Sequence, residues 1–273
     1  MRSLKRVYLA IMIIFMYAPI IVLIVYSFNA SKSRAAWGGF TLNWYAQLFK
    51  DPKILSALYT TLSVAVISAL IAAVLGTAAA VGIDSLKGSS KRIMMVVTNI
   101  PVVNPDIVMG VSLMILFIFL FKIFSFLNLQ FGYVTLLLAH VSFNVPYVIL
   151  SVLPKLRQMD GHLFEAAQDL GASPFQGFFK VILPEIMPGV ITGAMLAFTM
   201  SVDDFVVSFF TTGSGVENLS VLIYSMARLG INPKINALST LMFVFVLLLL
   251  YLINRSDTSR QKKGARIINE MDY

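Results

Sequence analysis

Three carboxylates stand inside apolar stretches of the chain, where charge is expensive: Asp106, Asp203 and Asp204. Acids in such places face a bundle interior or a water-filled cavity, where they accept hydrogen bonds or attract cations. No Lys or Arg lies deep within the same stretches, so the chemistry these positions favour is a lining for cations. Phe205 and Phe209 flank the acid pair and could add cation–π contacts. His140 has Asn144 one turn on but no second histidine or acid at ligand spacing, and reads as a hydrogen-bonded packing residue. The chain has no cysteine, which removes disulfides, Cys-ligated zinc and thiol nucleophiles. Its two histidines sit in unrelated segments, so no metal site is expected. No Ser/His/Asp arrangement, no G-x-x-x-x-G-K-[ST] loop and no G-x-G-x-x-G after a strand is present. Catalysis and nucleotide hydrolysis are therefore not expected in this chain.

The elements that position these acids follow from composition. Of 273 residues, 58% are hydrophobic and 12% charged, with a mean hydropathy of +0.85. A soluble domain carries about 45–50% apolar and about 25% charged residues. The class is an all-α polytopic membrane protein. A crossing needs about 20 mostly apolar residues, and six segments qualify: Val7–Phe28, Leu58–Ile83, Ile93–Phe121, Tyr133–Leu153, Ile186–Phe210 and Ile235–Asn254. The first follows Arg2, Lys5 and Arg6 like a signal peptide, but its apolar run is too long and lacks a small-x-small cleavage site, so it is expected to stay as an anchor. One transmembrane domain is expected over residues 1–273, with a longest loop at 154–185.

Placing the N-terminus inside puts fourteen of the 21 basic residues on the inner side and seven on the outer. The positive-inside rule then makes both termini cytoplasmic. The net charge of +8 is thus no nucleic-acid footprint, and the basic tail is expected against anionic lipid headgroups. Trp37, Trp44 and Tyr45 of the outer loop fit an interfacial belt.

Helices in lipid associate where small residues let backbones approach. Ser68, Ala72, Gly76 and Ala80 form one such stripe, and Gly189, Gly193, Ala197 and Ser201 another. On a wheel zeroed at Gly189, Asp203 falls at roughly −40° and Asp204 at roughly +60°. Both acids therefore straddle the stripe and are expected to face protein, near the outer edge of the hydrocarbon. Asp106 is expected nearer the middle, in a stretch disturbed by Pro101 and Pro105.

The loop carries explicit punctuation. Asp160 is a candidate helix N-cap and Gly171 suits the left-handed position after a helix. Ser173-Pro174-Phe175-Gln176 is a capping box with proline at the first helical position. Two short helices result, suited to docking in a partner's groove or to packing on their own bundle.

Glu165-Ala166-Ala167, Gly171 and Val181-x-Leu183-Pro184 resemble the EAA signature of ABC-importer permeases, with valine where isoleucine is usual. The resemblance is closer to the PotC-type permeases of spermidine/putrescine importers. It is carried by Tyr17-Ala18-Pro19, Tyr26-Ser27-Phe28-Asn29, Asn104–Met109, Glu165–Gly171 and Ser201–Ser208 with Thr212-Gly213. It implies a MetI-like fold in a bacterial inner membrane and a coupling role for Glu165, Ala166, Ala167, Asp169, Gly171 and Pro184. It also implies a place on a polyamine path for Asp203 and Asp204, with Asp106, Phe205 and Phe209 as further candidates. The implied partners are a second, PotB-like permease, two copies of a cytoplasmic ATPase that holds ATP and magnesium, and an extracytoplasmic polyamine-binding protein. The transport cycle would be alternating access driven through the docked loop. Two alternatives stay open: a permease of the same kind for ferric iron, thiamine or an organic anion, and a proton-coupled secondary transporter using Asp106 or Asp203 as relay.

Overall fold

The computed structural model describes residues 2–31, 36–229 and 233–251. Lys32, Arg34 and the basic tail residues Arg255, Arg260, Lys262, Lys263 and Arg266 lie outside the described residues. The helices are α1 (Arg2–Ser27), α2 (Asn43–Leu48), α3 (Pro52–Ser85), α4 (Gly88–Val103), α5 (Asp106–Ile123) and α6 (Tyr133–Gln158). They continue with α7 (His162–Asp169), α8 (Pro174–Gly177), α9 (Leu183–Asp203), α10 (Val206–Thr211), α11 (Leu219–Leu229) and α12 (Pro233–Tyr251). Among the described residues, six stretches of helix are long and apolar enough to cross a membrane: Lys5–Ser27, Pro52–Ser85, Asp106–Ile123, Tyr133–Gln158, Pro174–Asp203 and Pro233–Tyr251.

Two of the expected spans are corrected. The segment Ile93–Phe121 is two helices, because Pro105 has no N–H to donate and pushes Asn104 into an extended conformation (φ −69°, ψ 140°). Pro101 stays inside α4, and Asp106 becomes the first residue of α5. The segment Ile186–Phe210 also breaks, at Asp204 (ψ 125°), after which α10 begins. No proline lies there; the Asp204 side chain competes for the backbone donors instead. The loop reading is corrected too. α6 runs on to Gln158, and α8 passes through a π-turn (Phe178–Ile182) straight into α9, so only α7 is a separate short helix.

The chain forms two compact units, one from the described parts of Met1–Leu58 and Leu219–Tyr273, the other from Tyr59–Asn218. In the first, Trp44, Leu48, Ile54, Ala57, Leu219, Leu222, Ala237 and Leu238 make the core. Trp44 is buried within the protein, its indole N–H donating to the Asn29 carbonyl at 2.8 Å so that it needs no water. Asn29 in turn ties its own loop, its side-chain oxygen accepting from Ser31 N–H at 3.1 Å and Gly38 N–H at 2.7 Å.

The second unit is built around α6. Both small-residue stripes are buried, and both close on this one helix. A β-carbon on Gly76 of α3 would meet Val148 at 2.6 Å, and one on Gly189 of α9 would meet the Ser151 carbonyl oxygen at 2.8 Å. Large side chains of the same helices, such as Leu70, Val74 and Leu196, are exposed. That inverted pattern suits lipid, which solvates leucine as well as a core does and leaves backbone approach to favour small residues inside. A polar knot crosses the three helices: Asn144 Nδ2 donates to Ser201 Oγ at 2.8 Å and to Ser68 Oγ at 3.2 Å, and the two hydroxyls are 3.1 Å apart. The knot satisfies the Asn144 donors without water, while the buried Asn144 Oδ1 has no partner among the described residues.

Candidate functional site

The two helix breaks lie on one cavity of about 250 Å3 in the second unit. Pro101 of α4, Asp106 and Met109 of α5, Phe143 and Tyr147 of α6, and Thr199, Met200 and Asp203 of α9 line it, with Asp204, Phe205, Val206 and Val207 from the elbow and α10. The broken backbone is placed where membrane proteins tolerate it, beside a cavity rather than lipid. The elbow sits close to α5 because Gly110 has no side chain: a β-carbon there would meet the Phe210 ring at 2.8 Å and the Val206 carbonyl oxygen at 3.3 Å.

Among the described residues the lining includes Asp106, Asp203 and Asp204 and no Lys, Arg or His. Its field therefore attracts cations, and the Phe143, Tyr147 and Phe205 rings stand in the same wall. Asp106 and Asp203 are exposed to the cavity, whereas Asp204 is largely buried behind it. Asp204 Oδ2 accepts from the backbone N–H of Ser208 at 2.7 Å and from its hydroxyl at 2.7 Å, and Oδ1 accepts from Val207 N–H at 3.2 Å. His140 Nε2 is 3.1 Å from Ser208 Oγ and 3.6 Å from Asp204 Oδ2. Asn218 Nδ2 donates to Ser208 Oγ at 2.7 Å and to the Asp204 carbonyl at 3.0 Å.

Of the path candidates, then, Asp106, Asp203, Asp204 and Phe205 come together at the cavity, while Phe209 lies outside its lining and packs against Phe205 with the ring centroids 5.6 Å apart and the planes tilted by 43°. Sequence reasoning missed Phe143, Tyr147, Thr199 and Met200, and it left His140 without an acid that the fold supplies from the α9–α10 elbow. The spacing of His140, Phe143 and Tyr147 on one face of α6 was the available signal. Among the described residues no group of three or more His, Cys, Asp or Glu side chains could hold a metal ion.

A second surface lies at the loop between α6 and α9. The expected N-cap at Asp160 is corrected: Gly161 holds that position, while the Asp160 carboxylate accepts from His162 N–H at 3.0 Å in the turn that leads into α7, and Gly171 follows the helix at φ +85°. Ser173 Oγ accepts from Gln176 N–H at 3.3 Å while Gln176 Oε1 accepts from Ser173 N–H at 3.1 Å, so the expected capping box is present. Glu165, Ala166, Asp169, Gly171 and Pro184 are exposed and Ala167 is half-buried. Around them Leu170 is 90% and Phe175 72% exposed.

An all-helical chain with six apolar crossings, helices broken around an acidic cavity and an exposed, capped loop is an integral membrane transport subunit. It belongs to the family of binding-protein-dependent transport system inner membrane components, whose model matches residues 72–257. It is similar to the putrescine transport system permease protein PotI of Escherichia coli K12, with 40% identity over 253 residues, covering 90% of this chain and 89% of PotI. Similarity to the spermidine/putrescine transport system permease protein PotC of the same strain is 39% over 248 residues, or 91% of each chain. A PotC homolog of Mycoplasma genitalium is 28% identical over 271 residues, covering 95% of this chain and 93% of the homolog. Among solved structures, a chain of a bacterial alginate ABC transporter aligns with a TM-score of 0.70 at 17% identity, covering 93% of this chain and 92% of that one. One of the MetNI methionine transporter aligns with a TM-score of 0.60 at 20% identity, covering 81% and 99%. These two show that the fold is that of ABC-importer permeases. The protein is a multi-pass component of the inner membrane and an ABC-importer permease.

Proposed function

We propose that this chain is the permease subunit of an ATP-driven importer for polyamines, with spermidine or putrescine as cargo. The observation that carries the reading is the cavity at the two helix breaks, which presents carboxylates and aromatic rings and no base to whatever passes. An extended polycation that loses water on entry can exchange it there for carboxylate oxygens and ring faces. The fold alone does not choose a cargo, since the solved neighbours are transporters of alginate and methionine. The relatives named for putrescine and spermidine agree with the acidic lining.

Residues 1–273 act as one permease domain with both termini in the cytoplasm. Glu165, Ala166, Ala167, Asp169, Gly171 and Pro184 form the docking surface for a cytoplasmic ATPase, two copies of which bind ATP and magnesium. A second, PotB-like permease completes the path, and an extracytoplasmic binding protein delivers polyamine. ATPase closure moves the docked loop, and α9 transmits the motion directly because α8, the π-turn and α9 are one continuous helix. The reading is tested by reconstituting the chain with these partners in proteoliposomes and measuring radiolabelled spermidine and putrescine uptake. ATP-dependent uptake that needs all partners is expected; uptake driven by a proton gradient without the ATPase would overturn it.

A further inference from the structure

Asp203 and Asp204 adjoin in sequence and differ in every surrounding. Asp203 ends α9, is exposed and lines the cavity. Asp204 has both oxygens engaged by the first turn of α10, with contacts of 2.7, 2.7 and 3.2 Å. The clamp behind it is closed by proton count. Ser208 Oγ has one proton and spends it on Asp204, so it can only accept from its other neighbours. Asn218 Nδ2 fills one lone pair at 2.7 Å, and His140 Nε2, at 3.1 Å, fills the other as an N–H. His140 is thereby held in one tautomer, and its Nδ1, a bare acceptor, has no partner among the described residues. At the far end of α10, the single Thr135 hydroxyl proton lies between two acceptors, the Thr211 carbonyl at 2.8 Å and the Gly132 carbonyl at 2.9 Å, which ties that end of the short helix to the start of α6.

We infer that the two acids have separate jobs: Asp203 meets the cargo, and Asp204 is a positioning residue that locks the α9–α10 elbow from which Asp203 is presented. The cargo half rests on the polyamine reading; the elbow half rests on the hydrogen bonds alone. Three donors already occupy Asp204, and an ammonium group that displaced the Ser208 or Val207 N–H would leave a buried donor unpaired. The site thus needs acceptor oxygens at position 204 and negative charge at position 203.

The chain lacks cysteine, so single cysteines report on it without background from its own residues. In the assembled importer in proteoliposomes, Asp203→Cys should react with a small cationic thiol reagent and be protected by spermidine. Asp204→Cys should react at least about tenfold more slowly, because thiol reactivity follows exposure. In uptake, Asp204→Asn keeps an acceptor oxygen and should retain clearly more activity than Asp204→Ala. Asp203→Asn and Asp203→Ala should fall alike, by about tenfold, the loss of one charge-assisted contact. Equal thiol reactivity at both positions, or equal uptake of the two Asp204 variants, overturns the division of roles. A reactivity contrast without spermidine protection upholds the elbow and overturns the polyamine reading instead.

Discussion

Gly76 of α3 faces Val148 of α6 so closely that a β-carbon on the glycine would stand 2.6 Å from the valine Cβ. The Val145 carbonyl oxygen would be 3.1 Å away, so backbone as well as side chain blocks the space. Gly76→Val should therefore force α3 off α6 at a cost of about 1–3 kcal/mol or more, the range for overpacking a filled core. Gly82→Ala, six residues along the same helix with nothing within 4 Å of its added carbon, serves as the contrast. Thermal unfolding of the purified complex checks both: a clearly lower midpoint for Gly76→Val and an unchanged one for Gly82→Ala are expected.

Asn144 bridges Ser68 and Ser201, and with them α3, α6 and α9. Asn144→Ala removes both bonds but leaves the hydroxyls to each other at 3.1 Å. Interhelical bonds of this kind are worth about 0.6–2 kcal/mol in membranes. Ser201→Ala likewise removes two of the three contacts and leaves Asn144 to Ser68 at 3.2 Å, so both variants should lower the unfolding midpoint by a similar amount. An unchanged midpoint for either would show that the knot does not hold the three helices together.

Gly171 adopts φ +85°, a conformation that a β-branched residue resists and asparagine tolerates better. Gly171→Val should leave the six crossings inserted and weaken recovery of the ATPase with the permease, while Gly171→Asn should retain most of it. Co-purification measures the binding. Undiminished recovery with Gly171→Val, together with undiminished substrate-stimulated hydrolysis, would remove this turn from the coupling surface.

Asp106 begins α5 and lines the cavity across from the elbow's acids. Asp106→Asn keeps the side chain's size and a tolerable residue at a helix start, and removes one negative charge from the lining. Assembly with the partners should be unchanged and spermidine uptake lowered several-fold. Uptake equal to wild type at limiting spermidine would confine Asp106 to starting its helix.

Much of this was legible in the sequence because it depends on local pattern. Apolar runs of membrane length mark the crossings, since lipid demands continuous backbone pairing and apolar side chains. The stripes through Gly76 and Gly193 announce buried faces by their four-residue period, and the Asp160, Gly171 and Ser173 signals operate within a few bonds. Both stripes are buried, Gly171 takes the left-handed conformation and Ser173 caps its helix, whereas Gly161 rather than Asp160 holds the N-cap of α7. The Pro105 break was signalled in part, because proline marks disturbance without saying which of two prolines ends a helix.

What only the tertiary structure decided is which faces meet. Both small stripes close on α6, a pairing that no stripe carries in itself, because backbone approach depends on the partner helix. The wheel placed Asp203 and Asp204 symmetrically, on the assumption of an unbroken helix. The break at Asp204 cancels that symmetry, turning one carboxylate to the cavity and the other onto α10, with His140 and Asn218 brought from distant sequence to hold it. A side chain's competition with its own backbone is a local possibility for any aspartate. Whether it wins is settled by buried partners that exist only after the chain has folded.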